Sequence, residues 1–144
     1  MTIIEGLREW LRTCPALADS RLNVDFLPEE AKTYSVDAVP CKEVIKKYMD
    51  GSSKRQFMFA IASREFSGAN IAENIDTHAF YEALSAWVEG QCKRRDFPGL
   101  GESRRAQSIE VSSTAYPFIV DEHGTARYQL QLVLTYFQKG ERFK

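Results

Sequence analysis

Hydrophobic and polar positions along the chain follow two different periods, and the period changes mark the elements. Ile4, Leu7, Trp10 and Leu11 recur at helical spacing and predict a first amphipathic helix. Thr2-Ile3-Ile4-Glu5 at its start fits a capping box, in which Thr2 and Glu5 satisfy each other's backbone N–H groups. Pro15 stops it, because a proline lacks the N–H and constrains the residue before it. Leu22, Val24 and Phe26 then alternate with Asn23 and Asp25, the pattern of a half-buried strand that ends at Pro28. Tyr34, Val36 and Ala38 repeat the alternation before Pro40. The run 41–48 is ambiguous, and Asp50-Gly51 after it supplies hairpin turn chemistry.

The return strand, 56–62, is apolar on both faces (Phe57, Met58, Phe59, Ala60, Ile61, Ala62), which suits a central strand covered on each side. Residues 67–70 break it. A second helix starts near Ile71 or Thr77 and runs to about Lys93, with Phe80, Leu84, Trp87, Val88 and Gln91 on one stripe and Tyr81 at its edge. Pro98-Gly99 and Gly101 make a loop, and 102–106 are polar, basic and expected to be mobile. A strand over 107–115 and a final one close the chain. In the latter, Ala126, Tyr128, Leu130, Leu132, Leu134 and Tyr136 oppose a largely polar face of Arg127, Gln129, Gln131, Val133 and Thr135. The expected fold is α+β: a mainly antiparallel sheet of four to six strands, with two helices packed on one face and the polar face turned to water or a partner.

Size and composition narrow the class. At 144 residues, 44% hydrophobic and 27% charged, the chain is one globular domain spanning 1–144, not a disordered or collagen-like one. A net charge of −1 supplies no global field for non-specific nucleic-acid binding. Cys14, Cys41 and Cys92 make neither an even set nor a metal-binding spacing, which points to a reducing compartment. The first ten residues lack the pattern of a secretory signal, and no apolar run is long enough to span a membrane.

Motifs that would carry chemistry are sparse. His78 and His123 belong to no metal-binding pair, and surface or capping roles suit them better than acid–base catalysis. No serine stands in a nucleophile elbow, and Cys41 between Pro40 and Lys42 reads as a small residue at a strand start. Pro98-Gly99-Leu100-Gly101 contains GxG but follows a helix, the wrong context for a dinucleotide fingerprint. The expectation is therefore no catalytic residue, no cofactor and no metal. The alternative of another class is a small enzyme or ligand-binding domain using His78 or His123. Two basic clusters remain: Lys42, Lys46, Lys47, Lys54 and Arg55 around the hairpin, and Lys93, Arg94, Arg95, Arg104 and Arg105 around the later loop. If they met at one end of the domain they would form a surface for an anionic partner. No aromatic interleaving of the kind seen in single-strand binders is expected there.

The opening Thr2-Ile-Ile-Glu-Gly-Leu-Arg-Glu-Trp-Leu11, Leu22-Asn-Val-Asp-Phe-Leu27 and Tyr34-Ser-Val-Asp37 carry a resemblance to a known family, continued in Lys54-Arg-Gln-Phe-Met-Phe-Ala60 and Arg127-Tyr-Gln-Leu-Gln131. The chain resembles the small minor capsid or tail-completion proteins, tail terminator-like, of phages and prophages of Gram-positive bacteria. The resemblance implies a small α+β subunit that forms a ring, typically a hexamer, capping the tail tube and joining it to head-connector proteins. DNA would pass through the ring, with no sequence-specific nucleic-acid binding and no membrane. The protein would reside in the bacterial cytoplasm during assembly and then in the virion. A head-completion connector is the nearest alternative within that class. Ring contacts reuse edge strands and exposed faces, so Lys46, Lys47, Lys54, Arg55, Arg104 and Arg105 are the candidate assembly surface.

Overall fold

The computed structural model describes residues 2–15, 17, 22–25, 27, 33–66, 71–120 and 125–140. Its elements are α1 (Ile3–Leu11), β1 (Leu22–Val24), β2 (Thr33–Val39), β3 (Val44–Lys47), β4 (Ser53–Phe66), α2 (Ile71–Lys93), β5 (Arg104–Val120) and β6 (Thr125–Gln138). The strands form one sheet in the order β1-β2-β4-β6-β5, with β3 paired to β4 beyond the end of β2. The class is α+β, as the pattern predicts. All pairings are antiparallel except β1 with β2, which is parallel.

Strand register explains the alternation. Opposite residues share a face, so the pairs Val36–Ile61–Leu130 and Ala38–Phe59–Leu132 lie in rows across β2, β4 and β6. Phe59, Ile61, Leu130, Leu132, Leu134 and Tyr136 are almost fully buried on that face. They share one core cluster with Leu7, Trp10 and Leu11 of α1 and Tyr81, Leu84 and Val88 of α2. Burying each such side chain contributes roughly 1.5–3 kcal/mol. The stripe of α2 differs in one respect from the expectation. Tyr81 sits at its centre, not its edge, because its hydroxyl shares a 2.6 Å hydrogen bond with Ser63 Oγ and donates to the Tyr128 carbonyl at 3.1 Å.

Three local devices set the ends of elements. Thr2 Oγ1 accepts the Glu5 N–H at 3.2 Å, which starts α1. Asp25 adopts φ 50° and its carboxylate accepts the Ala38 N–H at 2.8 Å, so it ends β1 while covering the next backbone donor of β2. The pattern over 22–26 predicts a longer strand; the left-handed turn at Asp25 shortens it, and Phe26 lies outside the described residues.

At the far end of α2, the Asp96 N–H bonds to the Gln91 carbonyl and the Arg95 N–H to the Cys92 carbonyl. This is a Schellman motif with Arg95, at φ 56°, where glycine is usual. A left-handed non-glycine residue costs about 1–2 kcal/mol. Arg95→Gly is therefore expected to raise stability by about 1 kcal/mol, or roughly 3 °C in Tm, read by thermal unfolding. A fall in Tm would show that the Arg95 side chain outweighs its backbone strain.

The loop after this cap packs against α1. Trp10 Nε1 donates to the Asp96 carbonyl at 2.8 Å, Leu100 is 2% exposed, and the Gly99 carbonyl rests against Gly6 of α1. Residues 104–106, expected to belong to a mobile segment, open β5 and pair with Tyr136, Phe137 and Gln138. A polar, basic sequence hides this because β5 is a sheet edge, where one face and one flank meet water. Four register shifts bend β5, and its edge position tolerates Pro117.

Candidate functional site

The register of four strands brings the two basic clusters to one end of the sheet. Lys46 lies opposite Lys54, Lys54 opposite Phe137, and Phe137 opposite Arg105. One step further out, Lys47, Ser53, Gln138 and Arg104 form the next row. Adjacent strands are about 4.8 Å apart, so each row spans about 14 Å. The sequence separates these residues by more than ninety positions, and only the pairing of β6 between β4 and β5 joins them.

The first row is not purely basic. Lys46 Nζ stands 5.5 Å from the centroid of the Tyr48 ring, and the Arg105 guanidinium 5.9 Å from that of Phe137. The two rings are 6.3 Å apart. Tyr48 and Phe137 thus stand among the cations Lys46, Lys54 and Arg105 on the face away from the main core. Phe137 reaches the row through register, which adjacency in sequence does not reveal.

Arg55 plays a different part from its neighbours. It faces the other way, opposite Tyr136, and its guanidinium bonds Glu43 Oε1 at 2.9 Å and Ser53 Oγ at 2.9 Å. Its charge is engaged within the hairpin. Arg104 Nε donates to Gln138 Oε1 at 3.5 Å. Arg95, Arg104 and Arg105, with Phe97 and Leu100, line an open cleft of about 790 Å³ between the α2 cap and the start of β5.

Tyr136 lies beneath this end, 1% exposed, its hydroxyl donating to Glu43 Oε1 at 3.5 Å. Burial, and then the nearby Glu43 carboxylate, push its pKa above the usual phenol value of 10.0, against the opposing pull of Arg55 and Arg104. The neutral phenol is thus favoured in the folded state. Its contribution to stability is complete below the unfolded value and is lost as pH rises through the higher folded one. Tyr136→Phe is expected to lose little at pH 8 and to gain on the wild type above about pH 10, in denaturant midpoints measured across that range. Parallel pH curves for the two proteins would refute this.

The hairpin itself projects apolar groups. Gly51 at φ 90° makes the turn, with the Ser52 N–H donating to the Asp50 carboxylate at 2.9 Å. Met49 at its tip is 107% exposed, and Ile45, the bulged residue of β3, is 45% exposed. Met49 in the turn and Ile45 on β3 are thus exposed apolar residues on the same hairpin as the exposed Lys46 and Lys47. Hydrophobic alternation did not single them out, because Ile45 sits at a register shift and Met49 in a turn.

The other candidates fare less well. His78 is exposed on α2, with its ring edge-on to Tyr128 at 6.4 Å. His123 lies outside the described residues. Cys41 is exposed between β2 and β3, with its thiol 3.9 Å from the Gln56 carbonyl, and not at a strand start. Among the described residues no group of three His, Cys, Asp or Glu side chains is placed to hold a metal ion, and no helix is long and apolar enough to cross a membrane. No protein-family model matches the chain, and no curated protein matches it significantly.

Proposed function

We propose that this chain is a non-enzymatic assembly subunit, a tail terminator-like protein of a phage or prophage that closes into a ring, caps the tail tube and joins it to the head. The observation that carries the reading is the β3–β4 hairpin, whose turn exposes all of Met49 with Tyr48, while Ile45, Lys46 and Lys47 are exposed on β3. Apolar groups exposed beside cations are what a protein contact would bury. The resemblance through 2–11, 22–27, 34–37, 54–60 and 127–131 supplies the kind of assembly. A sheet with two edges, β3 and β1 on one side and β5 on the other, supplies strands that can pair or pack around a ring. The protein then works in the bacterial cytoplasm during assembly and in the virion afterwards.

Light scattering across concentration, followed by negative-stain imaging of the protein alone and mixed with tail tubes, tests this. Six-fold rings, or six-fold caps on tube ends, are expected. Ile45→Asp with Met49→Asp should leave a folded protein that forms neither. Twelve-fold rings would indicate a head-completion connector instead. A wild-type protein that stays monomeric in both conditions would overturn the assembly role.

A further inference from the structure

We propose that the ring contact is head-to-tail, with the β3–β4 hairpin of one copy seated in the groove between α2 and β5 of the next; this rests on the ring reading above. The groove measures about 400 Å³ and its apolar walls are Val88, Ile109 and Val111. Glu89 and Glu110, both exposed, stand on its rim, with Lys93 at one end. Cys92 lies within it, its thiol donating to the Ile109 carbonyl at 3.3 Å. The hairpin is its complement in both respects. Met49 and Ile45 present apolar side chains of a size such a groove accepts, and the unbranched, flexible Met49 adapts to an irregular cavity. Lys46 and Lys47, both exposed, would meet the two rim carboxylates.

Topology excludes the contact within one copy. β3 flanks β4 on the side away from β6, and β5 lies beyond β6, so hairpin and groove occupy opposite flanks of one sheet. A surface that meets a different surface on an identical copy is heterologous, and repetition of such a contact closes into a ring or extends into a filament.

Charge reversal on each side tests this. The hairpin variant Lys46→Glu/Lys47→Glu and the groove variant Glu89→Lys/Glu110→Lys should each lower the self-association constant by about 100-fold, because like charges then face each other. In an equimolar mixture every hairpin can meet a groove of opposite charge, so rings in which the two variants alternate should form. The quadruple variant, with both sides reversed, should recover rings. In a Cys41→Ser background, Met49→Cys should form disulfide-linked ladders under mild oxidation, and Cys92→Ser should abolish them. If wild-type rings form and the two double variants assemble as well as it does, or their mixture fails to assemble, the contact is wrong while the ring reading stands. A wild-type protein that forms no ring, alone or on tubes, overturns both.

Discussion

Gly6→Ala and Gly90→Ala, the same substitution in two helices, are expected to change stability in opposite directions. Helix propensity favours alanine over glycine by about 1 kcal/mol in a helix interior. At Gly90 nothing opposes that gain, since an added Cβ would meet only the end of the flexible Arg94 side chain at 3.8 Å. At Gly6 the Cβ would stand 2.2 Å from the Gly99 carbonyl oxygen. Backbone lies on both sides of that contact, so relief requires α1 and the 96–103 loop to part. The loop is held by the Trp10–Asp96 hydrogen bond and the buried Leu100, and overpacking of this kind costs typically 1–3 kcal/mol or more. Gly6→Ala should therefore lower stability by about 1–2 kcal/mol net and Gly90→Ala should raise it by up to 1 kcal/mol. Chemical denaturation read by tryptophan fluorescence measures both, because Trp10 and Trp87, 4.7 Å apart, report on the same region. Equal gains at both positions would show that the loop yields freely to α1.

That contrast also marks where sequence reading ends. Gly6 and Gly90 look alike in the chain, each a glycine inside a helical pattern. Their difference lies in a loop that starts ninety positions after the first of them. The elements themselves were legible because each rests on local terms: the 3.6-residue stripe of α1, the capping Thr2, the Asp50-Gly51 turn, the strict alternation of β6. The lengths of β4 and β5 were not, since their ends are polar and held by pairing with β6, at Ser53–Gln138 and Arg104–Gln138. The parallel pairing of β1 was also hidden, because a three-residue strand carries no signal of direction.

The candidate surface divides in the same way. Its cations were visible as two clusters, and the condition that they meet at one end is met by register. What the clusters could not show is the separation of roles among them. Arg55 turns inward to Glu43, Arg104 and Arg105 border the cleft at the α2 cap, and Lys46 and Lys47 stay at the hairpin beside Met49. Within the proposed ring, the last group is the one that differs in kind, since it alone combines charge with exposed apolar surface.

Asp37→Ala is expected to destabilise the fold by about 2–4 kcal/mol, through a charge left without its partner. Arg127 Nη2 contacts Asp37 Oδ2 at 2.6 Å, with side-chain exposures of 21% and 16%. The two residues sit on β6 and β2 with β4 between them, on the face away from the main core. Ala60 and Ala62 on β4 are small enough to let the long side chain cross, and both are buried. Removing the carboxylate strands a mostly buried guanidinium whose Nε already has no hydrogen-bond partner among the described residues, and deprives the buried Ser35 hydroxyl of its acceptor. Residual contact with water keeps the loss below that of a fully buried pair, which runs to about 3–5 kcal/mol. Replacing both partners, as Asp37→Leu with Arg127→Met, removes the unpaired charge and should recover most of the loss. A double-mutant cycle on denaturant midpoints should then give a coupling of about 1–3 kcal/mol. A loss below about 0.5 kcal/mol for Asp37→Ala would place the pair with solvated surface ion pairs, and β4 would then owe its alanines to something other than the crossing arginine.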